Sequence, residues 1–388
     1  MKIVKMITII LTIIVMAIIL ALPLAFISVL FITPNMYYIV PLFIAIYVIL
    51  VVLIIFKTLG WTKYKSGKKS FYGVTAMIIA VALSFTASGM YKQNLDSLED
   101  TEVDLHQYMP FAPETKTVKL EEPVTWKLES NLPVIDGATA LYPMYAGFAQ
   151  AVYPEKEYNL YSSKVMSNMT NIAYENLING QVDMIFVAGP SAKQIEAAEQ
   201  AGKELKLTPI GKEAFVFFVN SKNPVKSLTI NEIKGVYSGD ITNWKDVGGK
   251  RNAIRAFQRP QDSGSQTALQ KLMGDEPIMD PPKENVIDLM GGIIGQVSAY
   301  TNYNNAIGFT FRYYSTEMVR NEKIRLLQVN GVEPTAESIR SGDYPITAEI
   351  YAVTAGSENP HIEEFIDWIL SDQGQEIIEK TGYVSIGK

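Results

Sequence analysis

The chain of 388 residues contains no cysteine and only two histidines, His106 and His361. Without cysteine there is no disulfide, no thiolate metal site, no cysteine nucleophile and no lipid-modified cysteine anchor. Neither histidine has Cys, His or acidic neighbours at a metal-ligand spacing. His361 follows Asn359-Pro360 and precedes Ile362-Glu363-Glu364, which reads as a helix start and not as a catalytic base. Serine-triad and zinc-water catalysis are poorly supplied, so the reading is a non-enzyme with no cofactor and no metal. Acid is missing from one region altogether. Residues 1–90 hold seven lysines and no Asp or Glu, so with a net charge of −6 the remainder carries −6 − 7 = −13. An acidic remainder argues against nucleic acid as a partner, because that needs basic patches to displace counterions.

What the first ninety residues do have is long apolar runs. Met6–Ile32 and Met36–Phe56 are uncharged, and Phe71–Met90 is a third, weaker run diluted by Gly, Ser and Thr. A hydrocarbon core of ~30 Å takes about 20 helical residues. A signal-peptide core describes the first run poorly, since another run follows at once. Lys2 and Lys5 precede run one, and five lysines lie between runs two and three. The positive-inside rule then places the N-terminus and the 57–70 loop in the cytoplasm and everything after about residue 90 outside. No ionisable residue falls inside the runs, so they read as an anchor and not as a transport pathway. Residues 91–130 are polar, acidic and proline-dotted, and read as a linker or extended arm.

From Pro133 strand-like and helix-like runs alternate. Strands are expected at 132–135, 184–187, 214–219, 254–257, 306–311 and 349–353. Helices are expected at 139–152, 169–179, 191–201, 230–237, 265–273, 285–300, 336–341 and 361–381. Alternation predicts an α/β fold with mostly parallel sheets. Tyr142, Tyr145, Tyr153, Trp244 and Trp368 read as core side chains.

Three loops join an expected strand to an expected helix, where ligand sites of such folds lie. They are Ile135-Asp136-Gly137-Ala138-Thr139-Ala140, Met166-Ser167-Asn168-Met169-Thr170-Asn171, and Ala256-Phe257-Gln258-Arg259-Pro260-Gln261-Asp262-Ser263-Gly264-Ser265. Each is compatible with an ordinary helix cap, with Asp262 or Ser263 as the cap of the third and Arg259 paired to Asp262. Each is equally compatible with an anion seat, in which helix-start N–H groups, hydroxyls and a guanidinium surround a phosphate-like ligand. Periodicity leaves the choice open. A hydrolase using Ser263 or Ser265 as nucleophile lacks a nearby base.

Six fragments in order carry a resemblance. They are DGATALYPMYAGFA, EAFVFFVNSKNPVKSLTINEIKGVYSGDITNWKDVGG, AFQRPQDSGSQT, NNAIGFTF, GVEPTAESIRSGDYPIT and FIDWILSDQGQEIIEKTGYVSI. Together they resemble the phosphate-binding, PstS-type substrate-binding proteins of phosphate ABC transporters, from about Pro133 to the C-terminus. The resemblance implies an α/β, two-lobed, periplasmic-binding-protein-like (type II) domain, here preceded by three transmembrane helices. The expected plan is an anchor over 1–90 (spans about 6–32, 36–56 and 71–90), a linker over 91–130 and a binding domain over 131–388. Lobe 1 would take 131–218 and 344–388, and lobe 2 would take 219–343. The implied ligand contacts are Thr139, Ala140 (through its N–H), Thr170 (or Ser167), Arg259, Ser263, Gly264 and Ser265. The implied partners are inorganic phosphate or a related oxyanion and an ABC permease. One feature departs from the family: Ala188-Gly189-Pro190-Ser191 stands where it carries an aspartate that accepts the proton of hydrogen phosphate. Phosphate over sulfate then depends on another acceptor, such as Asp262 or Asp136. The alternative function is a receptor or sensor for an oxyanion or organophosphate that is not coupled to transport.

Overall fold

Apolar residues without a core of their own dominate the first part of the computed structural model, which describes residues 39–93, 97–98, 103–280, 300–301, 304–319 and 322–386. Helix α1 (Val40–Thr58) carries Pro41 in its first turn, where the missing N–H removes no helical bond. Gly60, at φ 71°, supplies the left-handed turn after it. Helix α2 (Lys65–Gln93) begins six residues before the expected Phe71. Nothing in Lys65-Ser66-Gly67-Lys68-Lys69-Ser70 stops a helix once Gly60 has made the turn, so the expected loop shrinks and three of its lysines become helical. Val40–Lys57 and Lys65–Met90 have mean hydropathies of 2.8 and 1.7 and are long and apolar enough to cross a membrane. Ile44 and Ile46 are 56% and 57% exposed, which suits a lipid surface and not water. The expected span over 6–32 lies outside the described residues. Residues 1–96 and 97–388 are separate compact units.

The second unit builds, in chain order, β1 (Ile135–Gly137), α3 (Tyr142–Val152), α4 (Met169–Ile178), β2 (Met184–Ala188), α5 (Ala192–Gln200) and β3 (Lys206–Asn220). Then come α6 (Ile230–Ser238), β4 (Arg255–Ala256), α7 (Gly264–Met273), β5 (Ala306–Phe311) and β6 (Ile324–Leu326). The chain finishes with α8 (Ala336–Ser341), β7 (Thr347–Thr354), α9 (Ile362–Leu370), α10 (Asp372–Thr381) and β8 (Val384–Ser385). The strand order is β1-β2-β7-β3-β5-β4, with β6 and β8 also paired to β3. Pairs β1–β2 and β4–β5 are parallel. The expectation of mostly parallel sheets is corrected in the middle: β7 runs antiparallel to β2 and β3, and β5 antiparallel to β3. The reason lies in the chain path, since β3 leads out of the first half of the fold and β7 returns to it.

Strand β3 is the common member of both halves. Through Ala214 it pairs with β7, and from Phe215 it pairs with β5. Apolar packing divides at the same place. Phe148, Phe186, Phe365 and Trp368 belong to one cluster, and Phe215, Phe217, Tyr237, Trp244 and Phe309 to another. Each fully buried aromatic contributes roughly 1.5–3 kcal/mol of transfer free energy. Tyr142, Tyr145, Tyr153, Trp244 and Trp368 are all buried, as their sequence context suggests. The fold is therefore α/β with two lobes.

Three details differ from expectation. The single helix expected over 361–381 is two, because Ser371 is extended (φ −72°, ψ 167°) between them; His361 takes the N-cap position of α9. Residues 103–130 are no loose linker. Leu105, Tyr108 and Leu128 are buried, the Phe111 N–H donates to Gln150 Oε1 at 2.6 Å, and the Trp126 ring stacks on Phe365 at 5.9 Å. Most of the helix expected over 285–300 falls outside the described residues.

Candidate functional site

The first loop forms where β1 meets β2 closely. A side chain on Gly137 would put its Cβ 2.4 Å from the Phe186 carbonyl oxygen, so only glycine fits there. The Ala138 N–H donates to that same carbonyl at 2.9 Å. A short 3₁₀ turn, Thr139–Leu141, follows, and the leading N–H groups of such a turn have no preceding carbonyl to satisfy them. Asp136, fully buried, fastens this turn to the second loop. Its Oδ1 accepts from the N–H groups of Gly137 and Asn168 at 2.8 Å each, and its Oδ2 from the side-chain amides of Asn168 and Asn176 at 2.9 and 3.0 Å. Four donors fill the carboxylate, so Asp136 does not serve as an open acceptor for a ligand proton.

In the second loop Asn168 is the N-cap of α4, yet its side chain goes to Asp136 and makes no cap bond. The leading N–H groups of α4 are left to face the loop with the positive end of the helix dipole. Met169 adopts φ 67°, a left-handed conformation that costs about 1–3 kcal/mol for a non-glycine residue and is held only by its surroundings. Ser167 is 4% exposed, with its hydroxyl beside that of Tyr145. Thr170, 9% exposed, sits in the first turn of α4.

The third loop opens α7. Ser263 is a true N-cap: its Oγ accepts from the Gln266 N–H at 3.2 Å. Gln266 is buried and also positions the arginine, accepting the Arg259 N–H at 2.9 Å and donating to Gln258 Oε1 at 3.2 Å. The expected Arg259–Asp262 pair is corrected. Asp262, at φ 67°, turns its carboxylate to α5 of the other lobe, accepting from Ser191 Oγ at 2.8 Å and from Lys193 Nζ at 3.1 Å. The Gln194 side-chain amide donates to the Asp262 carbonyl at 3.3 Å. The left-handed backbone at Asp262 aims its carboxylate at the N-terminus of α5, where the helix dipole, the Ser191 hydroxyl and Lys193 hold it.

Loops two and three meet. Thr170 Oγ1 lies 3.3 Å from where a Cβ on Gly264 would be, so the N-terminus of α4 faces the N-terminus of α7 across the lobes. Ser263, Gly264 and Ser265 lie at that junction, half-buried, and Arg259 is held beside it by Gln266. Thr139 and Ala140 are tied to the second loop only indirectly, through the hold of Asp136 on both Gly137 and Asn168, while the Tyr383 hydroxyl donates to the Ala140 carbonyl from the C-terminal segment. Two helix N-termini of opposite lobes with their hydroxyls, and Arg259 anchored nearby through its backbone N–H, are a setting that favours a small anion. Sequence reasoning missed the contacts of Ser191 and Lys193 with Asp262, 71 and 69 residues away, which no local pattern signals; it also missed Gln266, although Ser263-x-x-Gln266 has the capping spacing.

Between the lobes lies a cleft of about 370 Å³, walled by Ala188 and Gly189 at the end of β2, Gly264, Thr267 and Lys271 of α7, and the 345–351 stretch leading into β7. Where β3 changes partners, Glu213 is buried with Arg312 against it: Arg312 Nε lies 3.4 Å from Glu213 Oε1. Glu213 also accepts from the N–H groups of Ala214 at 2.8 Å and Tyr313 at 3.0 Å. Burial pushes its pKa up to about 7, against the pull of Arg312 and the two N–H donors. No group of three or more His, Asp and Glu side chains able to hold a metal occurs among the described residues.

Two α/β lobes with facing helix N-termini are a frame in which a small ligand can be held between lobes. A PBP superfamily domain matches residues 129–373, and the chain belongs to that superfamily. The chain is 29% identical over 194 residues to the phosphate-binding protein PstS of Bacillus subtilis, covering 49% of this chain and 62% of that protein. It is 27% identical over 233 residues to PstS of Borreliella burgdorferi, covering 57% and 82%. The match thus spans less than two thirds of the Bacillus relative. Among solved structures, an ABC-type phosphate transport receptor from Vibrio cholerae is 20% identical with a TM-score of 0.46, covering 64% of this chain and 98% of that one.

Proposed function

We propose that this chain is a membrane-tethered binding protein that captures inorganic phosphate between its lobes and delivers it to an ABC permease. One observation carries the reading: Thr170 Oγ1 at the start of α4 lies 3.3 Å from where a Cβ on Gly264 of α7 would stand, so two helix N-termini from opposite lobes approach each other. The ligand set is Thr139, Ala140 N–H, Thr170, Arg259, Ser263, Gly264 and Ser265, with Ser167 buried next to it. Similarity to proteins named phosphate-binding supports the choice of anion, and membership of the superfamily supports the two-lobed capture.

The apolar helices α1 and α2, with a further span over 6–32, tether the protein; lysines 57, 63, 65, 68 and 69 place their connection in the cytoplasm and the binding domain outside. The lobes divide as 131–218 with 344–388 against 219–343, and the change of partner on β3 at Ala214 favours a crossing a few residues earlier. The test is calorimetric titration of the full chain in detergent with phosphate. Arg259→Ala should weaken binding by about 100-fold or more while leaving thermal unfolding unchanged. Unchanged affinity in that variant would reduce the third loop to a capped turn. Turnover of a chromogenic phosphate ester would point instead to the hydrolase.

A further inference from the structure

The hairpin of α1 and α2 ends in a tight basic turn that the anion seat does not use. Lys57 stands in the last turn of α1, Lys63 closes the connection, and Lys65, Lys68 and Lys69 open α2. At 1.5 Å per residue, Lys65 to Lys69 occupy only about 6 Å of the helix axis. All five side chains are exposed. No Asp or Glu precedes Asp96 in the chain, so the described part of this unit, residues 39–93, has no carboxylate to neutralise them. The positive end of the α2 dipole lies in their midst.

The turn is fixed by its own bonds. The Leu59 N–H donates to the Ile55 carbonyl at 3.0 Å, Lys63 N–H to Gly60 at 3.1 Å and Lys68 N–H to Tyr64 at 3.0 Å. A Cβ on Gly67 would overlap the Trp61 carbonyl oxygen, so the connection is pressed directly onto the first turns of α2. The Trp61 ring lies edge-on to Phe56 at 5.3 Å, and Phe56 packs against Phe71 at 5.7 Å. Trp61, Tyr64 and Tyr72 are nevertheless exposed, and amphipathic rings at the end of apolar helices suit a membrane–water boundary. Exposed Ser66 and Ser70 place hydroxyl donors among the lysines.

We propose that the 57–69 turn is a binding site for the phosphodiester headgroups of anionic phospholipids, which it gathers around the anchor. This rests on the anchor reading above and is independent of what the cleft binds. Each lysine held at an anionic surface strengthens binding by roughly fivefold. The positive-inside rule orients a chain without requiring any particular lipid. A fixed cluster of ammoniums with no counter-charge of its own goes further, because its charge is best met by headgroup phosphates at the same depth.

The experiment is fluorescence quenching of the full chain in vesicles of phosphatidylcholine with about one-fifth phosphatidylglycerol, equal amounts of bromine being carried on the acyl chains of one lipid or the other. Trp61 is the one tryptophan in residues 1–96, and Trp61→Phe gives the background from Trp126, Trp244 and Trp368. Both leaflets have the same composition, so orientation in the vesicle does not enter. Phosphatidylglycerol should quench Trp61 as a lipid bound about tenfold more tightly than phosphatidylcholine, and about 1 M salt should remove most of that preference. Lys57→Gln, Lys63→Gln, Lys65→Gln, Lys68→Gln and Lys69→Gln together should bring the two lipids within about twofold, and the same five positions changed to Arg should keep the preference. The salt arm uses the unaltered protein, so a Gln variant that fails to insert leaves the test standing. The proposal is overturned if both lipids quench Trp61 equally, or if the preference survives salt and the five Gln changes. Quenching by neither lipid overturns the anchor reading and the proposal with it. A shift of Trp61 emission on adding polyglutamate, with no preference between the lipids, also overturns it and points to an acidic protein partner.

Discussion

Asp136 under the seat and Glu213 at the lobe crossing are both acids buried from water, and the fold satisfies them in different ways. Among the described residues Asp136 has four N–H donors and no cation paired with it, the donors all coming from loops one and two and the helix that loop two opens. Glu213 has Arg312 and the Tyr313 N–H, from about 100 positions further along the chain, and the N–H of its own neighbour Ala214. The first carboxylate assembles a rigid platform out of neutral groups. The second holds the two halves of the fold together at the strand they share, and its charge is only partly favoured there. Buried carboxylates thus divide into one that shapes the site and one that can respond to pH.

The largest effect should come from Asp136→Ala, which orphans four donors at once. A loss of about 4 kcal/mol is expected in urea unfolding of the full chain, and a loss below about 1 kcal/mol would break the contrast. Glu213 comes next. Its folded pKa is raised from 4.5 to about 7, so the folded state keeps a proton that the unfolded chain has released. That contribution is fully present below about pH 4.5 and is lost as pH rises to about 7, roughly 3 kcal/mol in all. Thermal unfolding followed between those pH values should show the decline, and Glu213→Gln should flatten it; an equal slope in the variant would move the proton elsewhere. The smallest effect belongs to Asp262→Asn. The exposed Lys193 contributes little, so ligand release should quicken by about threefold with no change in melting temperature. A melting shift without a change in release would make Asp262 a stabiliser of the loop alone.

Much of this was legible before any coordinate. Helix starts, the α/β class and the loop carrying Arg259 and Ser263–Ser265 follow from periodicity, cap residues and the order of the six fragments. The partners of charged groups were not. Asp262 next to Arg259 in sequence suggests a pair, but the left-handed backbone at Asp262 aims its carboxylate at α5. The strand directions were also out of reach, because a run such as Ala214–Val219 shows apolar character without showing which neighbour runs which way. The start of α2 at Lys65 illustrates another limit: hydropathy marks where a membrane span is apolar, while the helix itself stops only where a turn is made.

The fifteen residues of β3 carry a mechanical consequence. The lobes are not joined there by a flexible loop; one strand is hydrogen-bonded to β7 along one half of its length and to β5 along the other. A change in the angle between lobes has to be taken up as twist along that strand and its return partner, like torque on a bar clamped at both ends. Such a bar stores no broken bonds and relaxes along the path by which it was wound. Opening after the anion leaves would then need no outside work beyond releasing the contacts across the cleft.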